Sequence, residues 1–249
     1  MMGVPSADRD RFTAWTYAVT HLLASFAGPP EPEALEAGAR LGEYFTELIA
    51  ERRKAPGDDI LSELILAEEE GDRLSEMEIL SQSVGLLIVG FETTIGLIGN
   101  GVRALLRHPE QLQRLRDDPG LIASAVDECL RFDGPIALTL RVAHEDLRFG
   151  DRTIPKDALV MAMLAAANRD PAQFEDPDRF DVARDPNPHV AFGGGAHLCL
   201  GAHLARMEGA VAIGTLVRRA ASLELESDAL EWGPSLFRVP ARLPIRVLR

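Results

Sequence analysis

The feature that most constrains the fold is a long apolar segment with helical periodicity, which runs from Ser75 to about Arg107. Ser75 and Glu78 form a capping box at its start. Near its middle, apolar residues occupy every side of the helix, and such a helix is stable only when other elements cover it. We therefore expect a mainly α protein that is built around one buried central helix.

The stretch Val89-Gly90-Phe91-Glu92-Thr93-Thr94 interrupts this helix with a carboxylate and two hydroxyls. A carboxylate in a buried helix is costly unless it is hydrogen-bonded or functional. Alternatively, a threonine bonds back to the preceding turn and bends the helix, while Glu92 reaches solvent. Both interpretations stay open, because a bent turn could also make room for a small ligand.

The remaining periodicity predicts further helices, a small β-sheet region of short strands and an ordered meander from 168 to 187, all in a single domain over residues 1–249. Phe174 and Phe180 would anchor the meander, Gly28-Pro29-Pro30 would end the first helix, and Gly150-Asp151 would form a hairpin turn. The predicted helices are 8–26, 33–53, 59–69, 109–117, 119–132 and 201–219, and the predicted strands are 138–142, 147–149, 152–154 and 159–163.

Composition restricts the partners. The 249 residues include 26 Lys and Arg against 39 Asp and Glu, for a net charge of −13, which would repel nucleic acid and anionic lipid. The longest uninterrupted apolar run, about Val84 to Phe91, is too short to span a bilayer. The two cysteines predict neither a disulfide framework nor a zinc cluster. These features favour a cytoplasmic protein.

A second informative stretch runs from Phe192 to Gly201 and contains three consecutive glycines and Cys199. Glycines let the backbone approach a flat cofactor, and the N-terminus of the following helix stabilises a thiolate. A single thiolate on an apolar loop suits haem iron. A tight turn with a small buried cysteine is the alternative interpretation.

Four separated motifs occur in one order and together resemble the cytochrome P450 family, the soluble bacterial type in particular. The motifs are Gly90-Phe91-Glu92-Thr93-Thr94, Glu128-x-x-Arg131, Pro177-Asp178-Arg179-Phe180 and Phe192-x-x-Gly195-x-His197-x-Cys199-x-Gly201. The resemblance implies the cytochrome P450 fold and a haem-thiolate monooxygenase. Such an enzyme inserts one oxygen atom of dioxygen into a small hydrophobic substrate, with electrons from a ferredoxin and its reductase.

The resemblance also assigns roles around a haem b cofactor. It makes Cys199 the iron ligand through its thiolate. His197, His189 and Arg141 match positions that contact the haem propionates, with ordinary surface charge as their alternative role. Phe192 and Gly201 belong to the cysteine loop and would contact the cofactor.

Two further groups follow from the resemblance. Glu128, Arg131 and Arg179 resemble a buried ion-pair network that fixes the meander and the cysteine loop. Glu92 and Thr93 resemble the acid and alcohol that deliver protons on the other side of the haem. Two positions depart from the family pattern: Val89 replaces a small residue and would crowd the oxygen site, and Phe91 replaces a frequent histidine.

The resemblance begins where the family has already completed a substantial N-terminal portion, so we expect a C-terminal fragment with the N-terminal part missing. A separate N-terminal chain is then an expected partner. The alternative function is a truncated, non-catalytic remnant that binds haem weakly or not at all. Peroxide-driven chemistry without a reductase is a third possibility that no residue singles out.

Overall fold

A computed structural model describes residues 2–24, 31–69, 74–227, 229–232 and 237–248. These residues are mainly helical, with three small two-stranded sheets, as the sequence predicts. The helices are α1 (Arg9–Ala24), α2 (Pro32–Lys54), α3 (Ile60–Glu69), α4 (Glu76–Arg107), α5 (Pro109–Asp117), α6 (Ile122–Asp133), α7 (Leu164–Ala167) and α8 (Ala202–Arg219). The strands are β1 (Thr139–Val142), β2 (Leu147–Phe149), β3 (Arg152–Ile154), β4 (Leu159–Ala162), β5 (Ser222–Leu225) and β6 (Ile245–Leu248).

Local capping chemistry explains where the helices begin. At the start of α4, the Glu78 carboxylate accepts from the Ser75 backbone N–H at 2.8 Å, and the Ser75 hydroxyl accepts from the Glu78 N–H at 3.4 Å. The capping box is therefore confirmed, and the hydrogen bond from the Ser75 backbone lowers the pKa of Glu78. Pro32 and Pro109 occupy the first turns of α2 and α5, where a missing N–H costs nothing. The predicted stop at Gly28-Pro29-Pro30 lies outside the described residues.

The chain divides into two compact units, Met1–Glu92 and Thr93–Arg249. The prediction of a single domain stays a prediction. In the first unit, α1 packs on α2 through edge-to-face aromatic contacts, such as that of Phe12 with Tyr44 at 4.7 Å between centroids. The buried core of this unit consists of Phe12, Val19, Ala37, Leu41, Phe45, Leu48, Leu61, Ile65, Ile79 and Ile88.

The second unit packs the C-terminal half of α4 against α5, α6 and α8. Gly209 of α8 permits a close approach, because a Cβ there would lie 3.1 Å from Leu97 Cδ2 and 3.2 Å from Val126 Cγ1. The core of this unit consists of Leu97, Val102, Ala104, Leu105, Leu112, Leu115, Ala125, Val126, Cys129, Leu130, Phe180, Val182, Ile213 and Val217.

Three antiparallel ribbons accompany these helices. Strand β1 pairs with β4, β2 with β3, and β5 with β6. The turn between β2 and β3 contains Gly150 at φ +60°, so the predicted hairpin is confirmed. The meander from 168 to 187 is anchored as predicted, because Phe174 and Phe180 are buried.

Helix α4 differs from its prediction in two respects. It was expected to be covered on every side, but Val89 and Ile95 are about half exposed, at 52% and 45%. It is also the one helix among the described residues that is long and apolar enough to cross a membrane, since an 18-residue stretch of it has a mean hydropathy of 1.4. The uninterrupted apolar run 84–91 is much shorter than the apolar part of α4, because Glu92 and Asn100 interrupt the run but lie inside the same helix. Core helices of soluble proteins meet the same criterion, so this is weak evidence for a membrane span.

Candidate functional site

The loop that carries Cys199 is shaped by glycine. Gly193 and Gly195 have φ values of +70° and +66°, which residues with a Cβ rarely adopt. The loop closes on itself, since the Cys199 N–H donates to the Phe192 carbonyl at 3.0 Å. Helix α8 begins three residues after Cys199, at Ala202, so the thiol lies next to a helix N-terminus. The N-terminus is the positive end of the helix dipole.

The two cysteines lie in opposite environments. Cys199 is exposed, whereas Cys129 is buried in the core, and burial raises the pKa of the Cys129 thiol. Cys129 therefore stays a neutral thiol in the physiological pH range. The alternative that Cys199 is a small buried hydrophobe is wrong.

The two chain neighbours of Cys199 are exposed apolar residues. Leu198 and Leu200 flank it in the chain and are 59% and 86% exposed. Among the described residues, no group of three or more His, Cys, Asp or Glu side chains could hold a metal ion. A metal at Cys199 would therefore bring its other ligands with it, as an iron porphyrin does.

Two exposed side chains could bind carboxylates. Arg141 in β1 and His197 in the loop are both exposed. Arg141 donates to the Thr139 hydroxyl at 2.9 Å and to the Leu140 carbonyl at 2.7 Å, both within its own strand. These short-range bonds do not bury the guanidinium, so it is accessible to an anion.

His189 differs from these two because its side chain is buried, with 2% exposed. Its Nε2 lies 3.1 Å from Asp127 Oδ1, and its Nδ1 accepts from the Ala191 N–H at 3.2 Å. Both ring nitrogens thus have protein partners in this arrangement. A contact of His189 with a propionate stays a prediction.

Glu128 and Arg131, which lie three residues apart in α6, form the buried ion pair that the family resemblance implies. Arg131 donates from Nε and Nη2 to the two carboxylate oxygens of Glu128 at 2.7 and 2.8 Å, and neither side chain is exposed. The other guanidinium hydrogens reach the carbonyls of Asn168, Pro177 and Arg179 at 2.8–3.0 Å. All five donors of Arg131 are therefore used, which offsets the cost of burying the charge.

The third arginine of this network was predicted incorrectly. The Arg179 guanidinium is 59% exposed and pairs with Asp181 at 3.3 Å, so only the Arg179 carbonyl belongs to the network. Arg184 takes the expected place: it is 11% exposed, and its Nε lies 3.3 Å from Glu128. Asn187 adds a hydrogen bond to Glu128 at 3.2 Å.

Asn168 connects this network to the cysteine loop. Its carbonyl accepts from Arg131 at 2.9 Å, and its side-chain oxygen accepts from the Val190 N–H at 2.8 Å. Val190 lies two residues before Phe192, where the loop begins. The buried ion pair and the loop are thus joined through one asparagine that is 3% exposed.

The residues predicted to deliver protons lie in α4. Glu92 is buried and Thr93 is half-buried, so the alternative that Glu92 reaches solvent is wrong. The neighbouring Thr94 donates to Glu208 of α8 at 3.0 Å. Glu92 is the last residue of the first compact unit, and Thr93 is the first residue of the second.

Known proteins resemble the chain over nearly its whole length. The family model for cytochrome P450 matches residues 120–228, which contain the Glu128–Arg131 pair and Cys199. Cytochrome P450 107B1 of Saccharopolyspora erythraea is 46% identical over 99% of this chain. Vitamin D(3) 25-hydroxylase of Pseudonocardia autotrophica is 44% identical over 98% of it.

The chain belongs to the cytochrome P450 family. It spans 60% of the length of each of these two relatives. The crystal structure of P450BioI in complex with a fatty-acyl-ligated acyl carrier protein superposes with a TM-score of 0.92 and 41% identity, over 98% of this chain and 63% of P450BioI. The predicted cytochrome P450 fold is thus confirmed for the part that the chain contains.

The residues of this cytochrome P450 chain fit a haem. The soft sulfur of Cys199 is exposed between two exposed leucines, and exposed Arg141 and His197 can bind carboxylates. A Cβ at Gly194 or Gly195 would meet nothing within 4 Å, so space is open beside the loop. An apolar disc with a metal centre and two carboxylates matches this set of groups.

Sequence reasoning missed several residues that hold this cytochrome P450 loop in place. They are Asp127, Asn168, Arg184, Asn187 and Arg206. Asp127 is adjacent to Glu128 in the sequence, and Asn168 and Arg184 lie at the edges of the meander. Their polar character and their position near a recognised motif could have marked these residues as candidates in the sequence. Their partners, however, are identified only by the path of the backbone.

Proposed function

We propose that the chain is the haem-binding part of a cytochrome P450 monooxygenase, with haem b held through the Cys199 thiolate. The observation that carries the proposal is an exposed thiol on a glycine-shaped loop, which the buried Glu128–Arg131 pair supports through Asn168. The proposed reaction inserts one oxygen atom of dioxygen into a small hydrophobic substrate. Electrons would come from a ferredoxin and its reductase in the cytoplasm.

When bound, haem would supply one-electron and dioxygen chemistry, which a thiolate ligand tunes towards O–O cleavage. Arg141 and His197 would bind its carboxylates by charge-assisted hydrogen bonds. The exposed leucines beside Cys199 would exclude water from the iron side of the loop. These roles need no movement of the buried network.

Glu92 and Thr93 are the proposed proton donors. Thr93 would hold a proton at its hydroxyl, and the Glu92 carboxyl would replace that proton from water. Burial of Glu92 supports this role, because a carboxyl in a buried part of a helix is costly unless it is hydrogen-bonded or functional. The exposed Val89 lies one turn before Thr93 and would narrow the space for substrate.

The test expresses residues 1–249 with a haem supply and records the reduced carbon monoxide difference spectrum. We expect the Soret band of thiolate ligation in the wild-type chain and in the Cys129→Ala control. Cys199→Ser should lack that band while keeping its helical circular dichroism. A soluble wild-type chain without the band would favour the alternative, a non-catalytic remnant.

A further inference from the structure

Asp127 has no part in the proposed function, yet it contacts both ends of the segment that carries Cys199. Its Oδ1 lies 3.1 Å from His189 Nε2 and 2.7 Å from Arg206 Nε. His189 precedes the cysteine loop, and Arg206 lies in α8, which follows it. One carboxylate therefore bridges the chain before and after the ligand.

Further contacts lead from this bridge to the ligand itself. The Arg206 guanidinium lies 4.6 Å from the centroid of the Phe192 ring, and the His189 ring lies 5.9 Å from it. The Phe192 carbonyl accepts the hydrogen bond of the Cys199 N–H. Asp127 and the backbone of Cys199 are thus connected through Phe192.

The directions of the hydrogen bonds suit this arrangement. Since the Ala191 N–H donates to His189 Nδ1, a hydrogen of the ring lies on Nε2, which donates to Asp127. Burial alone would raise the pKa of Asp127, but the hydrogen bonds from His189 and Arg206 outweigh it and lower that pKa. Asp127 is therefore an ionised carboxylate with two donors.

We propose that Asp127 is a positioning residue for Cys199. Its carboxylate holds the start of the cysteine loop against α8 and so fixes the backbone that presents the thiolate. That Cys199 is an iron ligand rests on the proposed function, but how rigidly the cysteine loop is held is a property of the chain itself.

The test measures amide hydrogen exchange by mass spectrometry in the purified chain, with Asp127→Asn as the main variant. We expect peptides covering residues 190–200 to exchange about tenfold faster, because a charge-assisted bond at both ends of the loop is lost. Asp178→Asn is the matched control: it makes the same chemical change in an ion pair with Arg169, where Asp178 is 89% exposed. The control should leave these peptides unchanged.

Two outcomes would overturn the proposal. One is unchanged exchange of residues 190–200 in Asp127→Asn, and the other is an equal increase throughout α6 and α8, which indicates general destabilisation. If Asp127→Asn does not fold, Arg206→Gln removes one of the two bonds and should accelerate the same peptides to a smaller extent; no acceleration in Arg206→Gln would then overturn the proposal.

A spectroscopic measurement separates this inference from the proposed function. In the haem-loaded chain, Asp127→Asn should show a larger share of the carbon monoxide complex without thiolate ligation than Asp178→Asn. If the wild-type chain binds no haem, the proposed function fails, and the exchange result still decides the role of Asp127.

Discussion

Arg131 and Glu128 form two parallel hydrogen bonds, of 2.7 and 2.8 Å, with both side chains fully removed from solvent. Bidentate geometry makes this pair specific as well as strong. Because the pair also binds three backbone carbonyls of the following segment, its removal would release the meander and, through Asn168, the cysteine loop.

The first prediction concerns Glu128→Gln, which leaves the Arg131 charge buried without a counterion. We expect a loss of about 3–5 kcal/mol in the free energy of unfolding, measured by urea denaturation, and loss of haem incorporation. Glu36→Gln is the control, since Glu36 and Arg40 form an exposed ion pair at 2.6 Å. That change should cost at most about 1 kcal/mol. Similar losses in both variants would contradict the prediction.

The second prediction compares Arg184→Ala with Arg179→Ala. Arg184 is nearly buried and also donates to the carbonyls of Glu175 and Asp176, at 2.8 and 3.2 Å. Its loss should cost about 2–3 kcal/mol of unfolding free energy, because these acceptors and Glu128 lose a charged donor. Removal of the exposed Arg179 side chain in Arg179→Ala should cost less than about 1 kcal/mol of unfolding free energy. A larger loss of unfolding free energy in Arg179→Ala than in Arg184→Ala would show that Arg179 is the third arginine of the buried network, as the sequence predicts.

The third prediction uses the consecutive glycines of the cysteine loop. Gly195→Ala should cost about 1–2 kcal/mol, because φ is +66° there, although a Cβ would meet nothing within 4 Å. Gly194→Ala has equally open space, and its φ of −172° is extended backbone that alanine adopts freely. Thermal unfolding of the two variants therefore separates backbone strain from crowding. Equal melting temperatures would show that the backbone of the loop relaxes.

The fourth prediction concerns pH and the Asp59 carboxylate in the first unit. Burial acts to raise the pKa of Asp59, but bonds from Ser62 and Arg52 prevail and lower it. A carboxyl whose pKa is lowered by folding stabilises the protein at pH values above the ordinary aspartate pKa of about 3.9, and that contribution is lost as the pH falls through the folded-state pKa. The difference in unfolding free energy between wild type and Asp59→Asn should therefore be present at neutral pH and shrink on acidification. A difference that stays constant down to strongly acidic pH would exclude this carboxylate as the cause.

The sequence predicts the helices well because their signals are local. The capping box at Ser75, the prolines at helix starts and the glycine turn at Gly150 each act within a few residues of the boundary that they determine. The four-residue α7 escaped prediction because it is shorter than a period that can be recognised.

The partners of buried charges could not be predicted in the same way. Arg179 and Arg184 lie in one polar segment with similar neighbours, and only the path of the meander turns Arg184 towards Glu128 and Arg179 towards solvent. Likewise, the sequence gives no sign that His189 faces Asp127, because the two residues are 62 positions apart. Tertiary geometry decides these pairs.

The contrast between Cys129 and Cys199 has a practical consequence. An alkylating reagent attacks the thiolate form of an accessible thiol, so it should modify the exposed Cys199 and spare the buried, neutral Cys129 in the folded chain. The folded protein thus offers a single attachment point for a fluorophore or a mass tag at its proposed ligand. Protection of Cys199 from the reagent would report that its thiol is bound to a ligand, and modification of Cys129 would report unfolding.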